Sequence, residues 1–200
     1  MHPASRLLIL FALSALAASS TRAAAQSSLP SSRAITPSVF AGVTGVSTGL
    51  DSGTNLSMTA GVDVDFFPKS SFHPAIEYRG TYALAKGDVD SLKNNLAGVR
   101  ISRFYGRFHP YADLLAGRGE TTYANGGYQV PGRLIFYTKS SSNVFSFGGG
   151  TDVFTAGHLA LKVDFQMQRY SSPVTASGHV YSQTAVVGLV YAFHIGNSVL

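Results

Sequence analysis

Polar and apolar residues alternate along this chain with a period of two, segment after segment. LSMTAGVDVDF at 56–66 shows it most cleanly: Leu56, Met58, Ala60, Val62, Val64 and Phe66 share one face, and Ser57, Thr59, Gly61, Asp63 and Asp65 the other. Successive strand side chains point to opposite sides, so this run is a β-strand with one oily and one polar face. Eight segments read this way: Ser38–Val46, Leu56–Phe66, Pro74–Ala85, Asn95–Tyr105, Pro110–Gly119, Asn143–Val153, Leu159–Tyr170 and Gln183–Ile195. Most exceed the ~5–6 residues usual in soluble sheets and match the ~9–11 that cross a bilayer at a tilt.

Two features bear on which face looks inward. The connections Ser47–Asn55, Lys86–Asn94, Glu120–Ser142 and Ser171–Ser182 read as long, polar loops, and Phe67–His73, Gly106–His109 and Phe154–His158 as short turns. In an up-and-down antiparallel sheet that puts long loops at one end and turns at the other, as in outer-membrane barrels. Side-chain volume is the second feature. Leu159, Leu161, Val163, Phe165 and Met167 share the oily face of their segment, whereas Gly61, Gly98, Gly117, Gly148 and Gly150 recur on polar faces. Eight strands enclose an interior just wide enough to be filled by side chains, so small residues are expected inside and large ones outside, against lipid. Aromatics are expected as interfacial girdles: Phe66, Phe67, Phe72, Phe104, Tyr105, Phe108, Phe154 and Phe193 near the turns, and Tyr82, Tyr170 and Tyr181 near the other end.

The N-terminal stretch fits export. Arg6 precedes an apolar run from Leu7 to Ala18, and Ala23-Ala24-Ala25 precedes Gln26, the pattern of a signal peptide cleaved after Ala25. Residues 1–25 are therefore expected to be removed, 26–36 to be a flexible leader, 37–195 to form the barrel and 196–200 a short tail. Removing Arg6 and Arg22 lowers the formal charge from +5 to +3, too mild to suggest nucleic acid. With no cysteine there is no disulfide staple. Beyond residue 25 no apolar run approaches the ~20 residues of a membrane helix, so any crossing uses strands.

Charged residues on the polar faces would meet in the lumen: Asp63, Asp65, Glu77, Arg79, Arg100, Asp113, Lys162 and Asp164. An unpaired buried charge costs several kcal/mol, so Arg79, Arg100 and Lys162 are expected to be bridged by the carboxylates, giving a polar plug rather than an ion path. Arg79 or Arg100 are the partners expected for Asp63 and Asp65.

By these features the chain resembles the small bacterial outer-membrane barrels typified by the OmpA transmembrane domain and OmpX. The most specific element of the resemblance is Leu189-Val190-Tyr191-Ala192-Phe193, in which Leu189, Tyr191 and Phe193 look like the C-terminal strand signal read by the barrel-insertion machinery. The resemblance implies an eight-stranded antiparallel up-and-down barrel in the outer membrane of a Gram-negative-type bacterium, in contact with outer-membrane lipid; it implies no chemical activity. Lipid A deacylases of this kind of barrel pair a His and a Ser two positions apart, and no His-x-Ser occurs here. His73, His109 and His158 lie at the tight turns and His194 follows Phe193; they read as interfacial turn residues, with a metal site as the lesser reading. No cofactor is expected.

In loop 120–142 the apolar LIFYT follows Pro131-Gly132, so it reads as a hairpin extending two strands, with a ten-stranded barrel as the structural alternative. Its aromatics could meet an extracellular partner or fold over the mouth. The expected function is structural or surface-interactive; the alternatives are a narrow pore for ions or small solutes and, less favoured, a lipid-modifying enzyme.

Overall fold

A computed structural model describes residues 35–66, 71–130 and 134–193. The expected signal segment, most of the leader, Phe67, the Pro131-Gly132 turn, His194 and the tail lie outside them. The strands are β1 (Thr36–Ser47), β2 (Thr54–Asp65), β3 (His73–Ala85), β4 (Asp90–Ser102), β5 (Phe108–Tyr123), β6 (Tyr128–Gln129), β7 (Phe136–Tyr137), β8 (Lys139–Ala156), β9 (Leu159–Ser171) and β10 (His179–Ala192). Eight of them close into an antiparallel barrel in the order β1-β10-β9-β8-β5-β4-β3-β2, while β6 and β7 pair with each other alone. The eight-stranded expectation is borne out. The connection between β5 and β8 is a small hairpin and adds no wall strand, so the ten-stranded alternative falls.

The outward face is apolar. Leu114, Phe145, Phe147, Phe165, Val187 and Leu189 are each more than half exposed, while Asp63, Glu77, Arg79, Lys162, Asp164 and Gln166 are buried inside. A soluble barrel has the reverse arrangement, so this is a barrel of the transmembrane kind.

The structure moves boundaries at the long-connection end for one reason. Where the walls rise beyond the lipid-facing band, the alternation inverts: Ser47, Lys93, Asn143 and His179 point outward, and Val46, Leu92, Val144 and Val180 point in. A search for oily-outside strands stops there, though backbone pairing continues to Asp90↔Tyr123 and Thr122↔Lys139. Thus β4 starts at Asp90 rather than Asn95; at the opposite, tight-turn end β4 stops at Ser102 rather than Tyr105, and β1 begins at Thr36, inside the expected leader. The strict long–short order of connections is corrected too: 86–89 is shorter than 66–72, and only the 124–138 connection is long. Gly157, with φ 47°, supplies the left-handed residue that lets β8 turn into β9.

Small-inside is only partly right. Phe40 and Tyr170 are almost wholly buried in the interior, so Tyr170 is not a girdle residue. Wall glycines make the room. A β-carbon on Gly61 would sit 2.5 Å from Phe40 Cζ, and one on Gly119 would sit 2.6 Å from Tyr170 Cε1. The seam strands β1 and β10 present Ser38, Phe40, Gly42, Thr44 and Val46, and Thr184, Val186, Gly188, Val190 and Ala192, to the interior, with no ionisable side chain among them.

Candidate functional site

The chemistry inside the barrel forms one layer. Glu77 and Arg79 on β3, Arg100 on β4, Asp113 on β5, Asp152 on β8, Lys162 and Asp164 on β9 and Asp63 on β2 all project inward, as the two-residue period requires. Arg79 is its centre. Its guanidinium donates from Nη1 to Asp164 Oδ1 at 2.8 Å, from Nη2 to Asp113 Oδ2 at 3.4 Å, and through Nε to Glu77. Arg100 forms the second node, with Asp63 Oδ2 at 2.6 Å and Asp152 as its second carboxylate. Lys162 reaches Asp152 Oδ1 at 3.5 Å. Neutral groups tie the nodes together: Tyr111 donates to Asp164 Oδ2 at 2.7 Å, and Gln166 Nε2 to Asp113 Oδ2 at 2.9 Å. The Arg100 guanidinium carbon lies 3.8 Å over the Tyr111 ring, and Lys162 Nζ 4.4 Å over that of Phe40.

The structure therefore brings together seven of the eight expected lumen residues and adds Asp152, Tyr111 and Gln166, which the sequence reading missed. Asp152 was legible: it shares the face of Gly148 and Gly150. Asp65 is placed apart, half-buried in the wall of a pocket of about 450 Å³ at the tight-turn end with His73, Arg100 and Asp152. Five carboxylates (Asp63, Glu77, Asp113, Asp152 and Asp164) face three cations (Arg79, Arg100 and Lys162) in this layer. Among the described residues Asp63 Oδ1, Glu77 Oε2 and Asp113 Oδ1 have no hydrogen-bond partner.

Apolar groups pack on both sides, covering only part of the section at the tight-turn end, where the pocket reaches Arg100 and Asp152. Toward the tight turns Phe40, Ala160 and Val190 pack together with Phe154; toward the other end Val46, Leu92, Leu96, Leu115, Val144 and Tyr170 form a larger cluster. Tyr170 carries a polar tip into it, and Asn94 Nδ2 donates to that hydroxyl at 2.6 Å and to Gln168 Oε1 at 3.0 Å. Above it Leu50, Tyr123 and Val174 form a third cluster beneath the connections.

The turn histidines are not spread evenly round the rim. His73 stacks on Phe104 at 3.7 Å and Phe104 on His109 at 3.8 Å, while His158 sits apart, donating from Nδ1 to the Ala192 carbonyl at 3.0 Å. Among the described residues no three His, Cys, Asp or Glu are grouped to hold a metal ion. Leu189, Tyr191 and Phe193 all point outward at the end of the last strand.

No protein-family model and no curated protein matches this chain. Solved structures do. Neisserial surface protein A aligns with a TM-score of 0.50 at 12% identity, over 80% of this chain and 97% of that one. The Yersinia pestis attachment invasion locus protein Ail, solved with the heparin analogue sucrose octasulfate, gives a TM-score of 0.46 at 13% identity, over 81% and 100%. OprG from Pseudomonas aeruginosa gives 0.40 at 14% identity, over 84% and 100%. At such identities the likeness to the Neisserial protein is one of fold, and at that level the resemblance drawn from the sequence holds: this chain has the architecture of the small outer-membrane barrels.

Proposed function

We propose that this chain is an integral outer-membrane barrel, exported by its N-terminal segment, that seals rather than conducts and anchors its long-connection end as a contact surface. One observation carries the reading: the interior holds a buried ion-paired layer backed, toward the long-connection end, by a packed apolar cluster. Eight strands leave little bore to begin with. The contact role is supported by the β6–β7 hairpin, where Leu134 is 91% exposed and Ile135 and Phe136 stand beside it. The outward Leu189, Tyr191 and Phe193 suit recognition by the insertion machinery.

Planar-bilayer recording tests the seal: the expected result is no stable conductance, and a large, solute-passing one overturns it. The acid excess of the layer favours a second reading, a narrow cation path, which would show as a small cation-selective current abolished by Glu77→Gln. Membrane fractionation with heat-modifiable gel mobility tests the location.

A further inference from the structure

The outward wall of β4, β5, β8 and β9 carries a depression of about 540 Å³. Its cause is local. Ala97 and Ala116 face each other across β4 and β5, and the next outward positions along these strands and β8 are Val99, Leu114, Phe145 and Phe147. Two small side chains among large ones leave a trough in the lipid-facing surface. Arg169 and Tyr181 close its upper end. One step further toward the long-connection end stands Arg118, directly across from Asn95 and Asn143.

On the outward strand positions of this wall the charge is one-sided, the exposed Asp51 and Asp88 of that end lying in the connections. Arg118 and Arg169 are exposed, and neither is ion-paired among the described residues; Arg169 instead donates to His179 Nδ1 at 3.4 Å. Lys93 and Lys139 stand above them, sharing Glu120 at 3.1 and 3.5 Å. On the opposite wall the same level presents Ser47, Thr54 and Gln183, with Lys86 only beyond the end of β3. Arg118 and Arg169 lie on strands two spacings apart, roughly 10 Å, with the β8 wall between them.

We propose that this wall is a docking site for a phosphorylated glycolipid of the outer leaflet, one acyl chain lying in the trough and its phosphates held by Arg118 and Arg169. The inference rests on the outer-membrane reading above, with the long-connection end outward. Arginine on phosphate is the strong form of such contacts, and it is stronger still at the edge of hydrocarbon. Four cations against one carboxylate match a headgroup carrying more than one phosphate better than a singly charged glycerophospholipid. Asn143 and Ser171, both outward at that level, suit sugar hydroxyls.

Native mass spectrometry of the purified full chain in neutral detergent, titrated with bisphosphorylated lipid A or with phosphatidylglycerol, tests this. Lipid A is expected to be retained at about tenfold lower concentration than phosphatidylglycerol, and the Arg118→Gln/Arg169→Gln double variant is expected to need about tenfold more lipid A than wild type. Ala116→Phe, which fills the trough, should weaken retention similarly, and Lys86→Gln should leave it within about twofold. Unheated gel mobility verifies that each variant is folded; should the double variant not fold, the two single variants carry the comparison. Retention by the arginine variants within about twofold of wild type, or equal retention of the two lipids, overturns the proposal. A folded chain that stays in solution without detergent would instead remove the membrane reading itself, and the site with it.

Discussion

Arg79 shows what this interior demands of a single residue. Its guanidinium satisfies three carboxylates that have no access to water, so its loss strands negative charge inside the wall. Arg79→Met is expected to destabilise the barrel by about 3–5 kcal/mol, as removal of one partner from a buried ionic set does. Urea unfolding from lipid vesicles would measure this; the chain has no tryptophan, so tyrosine emission is the probe. Gly119 is the complementary case, since any side chain there meets Tyr170 and Val144. Gly119→Val should abolish heat-modifiable folding, and adding Tyr170→Ala should restore part of it. Periodicity put Arg79, Asp113 and Asp164 in the lumen because charge and face agreed. It misassigned Tyr170 because an aromatic near a strand end looks the same whether it anchors at an interface or fills a barrel. Only the glycine opposite distinguishes the two, and cross-strand register is invisible in the sequence.

At the scale of elements, the strands outlast the pattern that reveals them. Lys93 on β4 and Lys139 on β8 flank Glu120 on β5, and the hydrogen bond from Lys93 with the charges of both lysines holds the Glu120 carboxyl below its usual range. The stabilisation from this triplet is present above the ordinary glutamate range and is lost as pH falls through the lowered value. Both lysines are about half exposed or more and only Glu120 is partly covered, so solvent screening keeps the contribution under about 1 kcal/mol. The hydrogen-exchange protection factors at Thr121–Tyr123, which remove the intrinsic pH dependence of exchange, should fall on acidification in wild type and not in Glu120→Gln. The hairpin is tethered as well: the Tyr128 hydroxyl donates to Asp51, which raises the phenol's pKa. Tyr128→Phe is expected to increase proteolytic nicking between β6 and β7 while leaving unheated gel mobility unchanged. LIFYT announced a hairpin in the sequence. Its contact with the first connection pairs residues 77 apart, which no local pattern encodes.

The molecule as a whole was legible where one rule governs every strand, in the eight-fold alternation and the oily exterior, and illegible where neighbouring strands must fit, as at Phe40 over Gly61. Its charges are also distributed unevenly around the circumference. Every member of the ionic layer belongs to the run from β2 through β9, and the two strands that meet at the seam bring only hydroxyl, aliphatic, aromatic and glycine groups to the interior, with Gly42 set directly against Gly188. Every ion pair of the layer is therefore formed within an open, curved sheet of six strands. The last ladder can zip shut as a purely neutral event, with no ion dragged through hydrocarbon and no carboxylate left waiting for a partner on the far edge.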